Sequence, residues 1–105
     1  MSDHSESNLL KHGCYVVLKH SIHNDYHFDL ILEGDPLCPT YQSSASDLTD
    51  LTRIKDHREK YLNFEGLISP EKGSVVVVEK GKYELIEVQK ILLVSSNDIS
   101  RSLRL

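Results

Sequence analysis

Apolar positions along the chain come in short runs separated by Gly, Pro, Asn, Asp and Ser, a pattern of strands and turns rather than helices. Cys14-Tyr-Val-Val-Leu-Lys19 is β-branched and aromatic, which predicts a strand. His20-Ser-Ile-His-Asn-Asp25 follows, with good turn chemistry at Asn24-Asp25. Tyr26-His-Phe-Asp-Leu-Ile-Leu-Glu33 alternates as a second strand, closed by Gly34-Asp35-Pro36. Two strands with a short polar link predict an antiparallel hairpin.

Residues 36–47 read as loop, with Pro36, Pro39 and a run rich in serine. Leu48, Leu51 and Ile54 are spaced by three, as in a short helix. Ser69-Pro-Glu-Lys-Gly73 predicts a turn and Ser74-Val-Val-Val-Val-Glu-Lys80 a continuous apolar strand. Gly81-Lys82 predicts another turn, leading into a strand over residues 83–94 that carries a bulge. Many short strands with turn punctuation predict an all-β sandwich or small antiparallel barrel. The expected layout is a flexible N-terminal lead-in over residues 1–12, one β domain over residues 13–95 and a polar tail over residues 96–105 with a frayed end.

Composition narrows the class. With 105 residues, the chain is long enough for a single modest core. Hydrophobic residues at 39% and charged residues at 27% are ordinary for a folded domain and exclude a disordered one. No apolar run approaches the ~20 residues of a spanning helix. Residues 1–8 have neither the basic nor the apolar region of a signal peptide, so a cytoplasmic location is expected. Cys14 and Cys38 lie far apart without zinc-finger spacing, which predicts two free, buried thiols. The net charge of −4 argues against a long nucleic-acid groove, yet leaves room for a small site holding one phosphate or one strand end.

The candidate chemistry lies in the histidines. In the second strand Tyr26, Phe28, Leu30 and Leu32 share one face, and His27, Asp29, Ile31 and Glu33 the other. An imidazole and a carboxylate two residues apart on one strand face can reach one ion. Across the hairpin stands His20, and the link also offers His23. Two histidines and one carboxylate suit a divalent ion such as zinc or manganese, with coordination positions left open for water and substrate. An exposed polar face of an edge hairpin would show the same spacing. In Lys55-Asp-His-Arg-Glu-Lys-Tyr61, His57 and Tyr61 are four apart and would share a face if this piece were helical. Such a pair can donate to a phosphate oxygen or a leaving group. The alternative is a solvated charge run whose Tyr61 ring packs on the core.

Taken together, these blocks resemble the 3′-phosphoesterase domain of bacterial DNA ligase D. Tyr15-Val-Val-Leu-Lys-His20 followed by His27-Phe-Asp29-Leu-Ile-Leu-Glu33 is similar to that family's Lys-His and His-Tyr-Asp-x-Arg-x-Glu signature. Asp56-His57-x-x-x-Tyr61-x-x-Phe64-Glu65-Gly66 and Lys72-Gly73-Ser-Val-Val-Val-Val-Glu-Lys-Gly81-Lys-Tyr83-Glu84 resemble its next two blocks, in the same order. The resemblance implies a crescent-shaped open barrel that removes a 3′-terminal phosphate or ribonucleotide from nucleic-acid ends, with a ligase or polymerase as a partner in trans and no membrane. It implies His20, His27 and Asp29 as ligands of manganese or zinc, with His57 and Tyr61 against the scissile phosphate.

The chain departs from the pattern at definite places. Ile31 stands where the family carries the arginine that would clamp phosphate bidentately. The two metal histidines are one residue further apart, which keeps His23 open as a ligand in place of His20. The family's Trp-x-x-Pro-Lys-Gly stretch is Leu37-Cys-Pro-Thr-Tyr-Gln42 here, without its lysine, and Lys55 replaces an acidic residue. The family's last strands are not matched, so a smaller or more open barrel is expected. Three readings follow: a 3′-end phosphoesterase, a catalytically degenerate metal-binding or protein-interaction module of the same fold, and an esterase for a small phosphorylated metabolite.

Overall fold

The apolar runs fold as strands of one antiparallel sheet. In this computed structural model, which describes residues 8–105, β1 (His12–Ile22) and β2 (Asp25–Leu32) form the expected hairpin through the two-residue link His23-Asn24. They are followed by β3 (Cys38–Ser43), β4 (Thr52–His57), a 3₁₀ turn (Glu59–Leu62), β5 (Gly66–Ser69), β6 (Gly73–Glu87), β7 (Lys90–Ser95) and β8 (Ser100–Arg104). The strand order is β4-β3-β2-β1-β6-β7-β8, with β5 on the edge of β6 near its start. β4 and β8 end the sheet without pairing to each other, so it stays open, in keeping with the expected open barrel.

Both faces of the central strands are covered, which is why Tyr15, Val16, Val17 and Leu18 are all buried rather than every second one. On one face Tyr15, Val17, Phe28, Leu30, Tyr83 and Ile91 form the main core. Leu48 closes it from the loop between β3 and β4, and Leu103 from β8. On the other face Val16, Leu18, Ile31, Cys38 and Val75 form a second, smaller core under Tyr61, Leu62, Phe64 and Ile68. Each fully buried aliphatic side chain contributes roughly 1.5–3 kcal/mol.

A bulge in β6 decides which valines serve which core. Val17 pairs with Glu79 but Leu18 with Val77, so one extra residue is taken up at Val78. Val75 and Val77 therefore face the second core, whereas Glu79 and Tyr83, of the same parity, face the first.

Several local expectations are corrected. The loop expected over residues 36–47 contains β3, and Pro39 is tolerated because the register with β4 shifts between Cys38 and Thr40. The short helix that the spacing of Leu48, Leu51 and Ile54 left open does not form: Leu48 and Leu51 insert into the core from a loop, and Ile54 lies in β4. β6 runs straight through Gly81-Lys82, since a Cβ at Gly81 would lie 2.1 Å from the Val94 carbonyl oxygen, so β7 approaches only a glycine there. The polar tail over residues 96–105 carries a strand almost to its end. β8 pairs with β7 from Ser100 to Arg104, and the Arg101 guanidinium bonds to Glu79 (2.7 Å) and the Asp47 carbonyl (3.3 Å). Of the lead-in over residues 1–12, residues 1–7 lie outside the described residues, while Leu9 and Leu10 pack on the core. Both cysteines are free, but only Cys38 is buried and Cys14 is exposed. No helix among the described residues is long and apolar enough to cross a membrane.

Candidate metal centre and adjoining cleft

The hairpin register assembles the first group. His20 on β1 pairs directly with His27 on β2, and Asp29, two residues further, projects to the same face. The two rings meet edge to face with centroids 4.8 Å apart. Asp29 lies at the end of the second core, its side chain 4% exposed, with His20 at 16% and His27 at 23%. One donor atom from each of the three lies within 4.8 Å of the others, a group that can hold a metal ion. Donors at about 2.0–2.2 Å from an ion stand at most ~4.4 Å apart, so a closure of a few tenths of an ångström suffices. His23 has no part in this group. It sits exposed on the hairpin link with φ 57°, three residues beyond His20, or about 10 Å at ~3.3 Å per residue.

Hydrogen bonding shows what the group lacks. His20 Nε2 lies 2.6 Å from the Lys72 carbonyl oxygen, which can only accept, so Nε2 carries the proton. In the neutral ring Nδ1 is then a bare lone pair, and it faces Asp29 Oδ2 at 3.6 Å. Asp29 Oδ1 is buried with no hydrogen-bond partner, although His27 Nε2 is only 3.2 Å away, because the two are not aligned for a bond. Acceptors thus face acceptors in a buried place, an arrangement that a cation between them relieves. Burial pushes the Asp29 carboxyl above its usual range, against the pull of His27, His20 and His57. The orphaned oxygen, the bare nitrogen and the second-layer carbonyl on His20 all fit a divalent ion.

Lys72 is placed for this bond by its neighbour. Gly73 has φ 81°, and a Cβ there would lie 2.0 Å from the Ser21 carbonyl oxygen. Only glycine lets the β5–β6 turn come close enough to β1 for the Lys72 carbonyl to meet His20.

His57 and Tyr61 reach the same place from the other side. They are not on one helical face: His57 ends β4, paired with Cys38, and Tyr61 lies in the 3₁₀ turn. Their rings nonetheless meet edge to face at 5.5 Å, and Tyr61 stacks likewise on Phe64 at 5.6 Å. His57 Nδ1 lies 2.9 Å from the Lys55 carbonyl oxygen, which puts the proton on Nδ1 and leaves Nε2 bare. A cleft of about 520 Å³ is lined by His20, Asp29, His57 and Tyr61 together, with Leu18, Ile22, Ile68 and Val75 as apolar wall. His27 is outside this lining, so the group meets the cleft through His20 and Asp29.

Sequence reasoning missed the cations of this cleft: Lys55, Arg58, Lys60 and Lys72 line it as well. The charge run over residues 55–60 was the available signal, and only the fold aims it at Asp29. Lys72 gave no signal beyond a turn. In comparison with known proteins, no family model matches the chain and no curated protein matches it.

Proposed function

We propose that the chain is a metal-dependent phosphoesterase that removes a 3′-phosphate or terminal ribonucleotide from nucleic-acid ends. The observation that carries this is the shared cleft: the His20-His27-Asp29 group opens onto the space that His57 and Tyr61 line. The ordered resemblance to the DNA ligase D phosphoesterase domain supports the substrate class, and leaves a ligase or polymerase as the expected partner in trans.

His20 through Nδ1, His27 through Nε2 and the Asp29 carboxylate would hold manganese or zinc. Bound there, the ion supplies charge to a phosphoryl oxygen and acidity to a coordinated water. His57 Nε2, kept bare by the Lys55 carbonyl, takes a proton from solvent and delivers it to the leaving oxygen as the ester P–O bond breaks and water forms the new P–O bond, the water's proton returning to solvent. The Tyr61 hydroxyl donates to a non-bridging phosphate oxygen, its ring held by Phe64.

The test is release of inorganic phosphate from a 3′-phosphorylated primer by the manganese- or zinc-loaded protein, compared with Asp29→Ala and His57→Ala. Release that survives both substitutions overturns the reading. A second reading, a degenerate metal-binding or protein-interaction module, is favoured by Ile31, which is 0% exposed and belongs to the second core where a phosphate-clamping arginine would be expected. Metal uptake without release from any end establishes that alternative.

A further inference from the structure

The chain carries a net charge of −4, yet the cleft beside Asp29 gathers four cationic residues, Lys55, Arg58, Lys60 and Lys72. Its other carboxylates are Asp56 and Glu71. Asp56 is already engaged by the Arg53 guanidinium and the Asn8 amide, both outside the cleft. Lys60 lies over the Tyr61 ring, 5.1 Å from its centroid. Lys55, Arg58 and Lys72 form no ion pair among the described residues. They come from two separate segments, the end of β4 and the β5–β6 turn, and converge on one space. Glu71 offsets only part of this charge, so the like charges repel one another, and an anionic ligand relieves that repulsion.

We propose that Lys55, Arg58 and Lys72 are the phosphate clamp of this cleft, in place of a strand arginine, and that they grip a single terminal phosphate group. The assignment rests on the reading of the cleft as a phosphate-ester site. Position 31 cannot supply the clamp, because its side chain is sealed between Val16, Leu18 and Val75. Lys72 couples the two halves of the site, since its carbonyl orients His20 and the same residue lines the cleft. The apolar wall of Ile22, Ile68 and Val75 receives the sugar and base that carry the phosphate. Three cations are too few to track a strand, so the ligand is an end and not a length of backbone.

Phosphate affinity separates this proposal from the catalytic reading, because binding requires no turnover. Inorganic phosphate and a short single strand ending in 3′-phosphate or 3′-hydroxyl are titrated calorimetrically into the zinc-loaded protein, over a range of salt. The 3′-phosphate strand is expected to bind more tightly than the 3′-hydroxyl strand, with log K falling against log salt at a slope of about −2 for three contacts on a single strand. Each of Lys55→Gln, Arg58→Gln and Lys72→Gln is expected to weaken phosphate about three- to tenfold and to flatten the slope by ~0.7, with zinc affinity retained. Lys82→Gln and Lys90→Gln, away from the cleft, are expected to change neither. Phosphate binding unaltered in the triple variant overturns the clamp, as does an equal loss in the two controls. Clamp-dependent binding without hydrolysis removes the phosphoesterase reading and keeps the clamp, whereas hydrolysis with clamp-independent binding does the reverse.

Discussion

His20 and Lys72 are joined by a 2.6 Å hydrogen bond from an imidazole Nε2–H to a backbone carbonyl, across a turn that only glycine permits. The bond orients the ring so that its bare Nδ1 faces Asp29. Gly73→Ala should displace the carbonyl and free the ring, lowering zinc affinity about 10–100-fold. Strain at φ 81° and the clash with Ser21 should also cost on the order of 1–3 kcal/mol of stability. Calorimetric zinc titration and thermal melts measure the two effects, and unchanged zinc affinity would contradict the orienting role.

Asp29 should oppose folding when no metal is bound. Burial raises its pKa above 3.8, so its contribution is fully present below that value and is lost as pH rises through the folded pKa. Metal binding needs the carboxylate and reverses the trend. At pH 8 Asp29→Asn should stabilise the metal-free protein, read as a higher Tm than the parent's. Zinc should raise the Tm of the parent, and the same substitution should abolish that rise. A metal-free Tm lower than the parent's at pH 8 would contradict the orphaned-oxygen argument.

Tyr61 has separable roles in chemistry and packing. Tyr61→Phe keeps the stacking on Phe64 and should leave Tm unchanged while reducing kcat at least ~10-fold. Tyr61→Ala should cost ~2–4 kcal/mol by opening the second core. His57→Ala should lower kcat by about 10²–10⁴ with zinc affinity intact, since His57 lies outside the three-residue group. Steady-state kinetics beside zinc titration separates these outcomes.

Ile31→Arg should not restore a clamp. It would force a guanidinium into a fully buried site among Val16, Leu18, Cys38 and Val75, at a cost on the order of 3–5 kcal/mol. Denaturant unfolding measures that loss, and a variant that folds with parental stability and gains phosphate affinity would contradict the clamp assignment.

Tyr83 fastens the segment before β1 to the core. Its hydroxyl donates to the Glu33 carbonyl at 2.7 Å and accepts from the Leu10 N–H at 3.2 Å, and burial pushes its pKa up to about 12. Tyr83→Phe should cost about 1–2 kcal/mol by leaving both backbone groups unpaired. In the parent, ultraviolet titration should show two phenols, Tyr15 and Tyr83, ionising well above the usual tyrosine range of ~10, and Tyr83→Phe should remove one of them.

Alternation along residues 26–33 was enough to pair His27 with Asp29 and to separate them from Phe28 and Leu30, because strand periodicity is local and steric. The all-β class was legible for the same reason, from β-branched runs and turn residues. The position of His20 opposite His27 was not, since register depends on which two residues make the link, and His23-Asn24 does so here rather than Asn24-Asp25. Burial of Asp29 required the second core, built by the 3₁₀ turn and β5 folding back over a face that alternation alone left open to water. Gly81 read as a turn because its role is to admit the Val94 carbonyl, a contact with a residue thirteen positions on. Lys55 and Arg58 looked like solvated charge and Lys72 like part of a turn, and only the meeting of β4 with the β5–β6 turn gathers them at one cleft. Local sterics determined the strands and the His-x-Asp pair. Long-range packing decided which donors meet, what is desolvated and where the unpaired cations point.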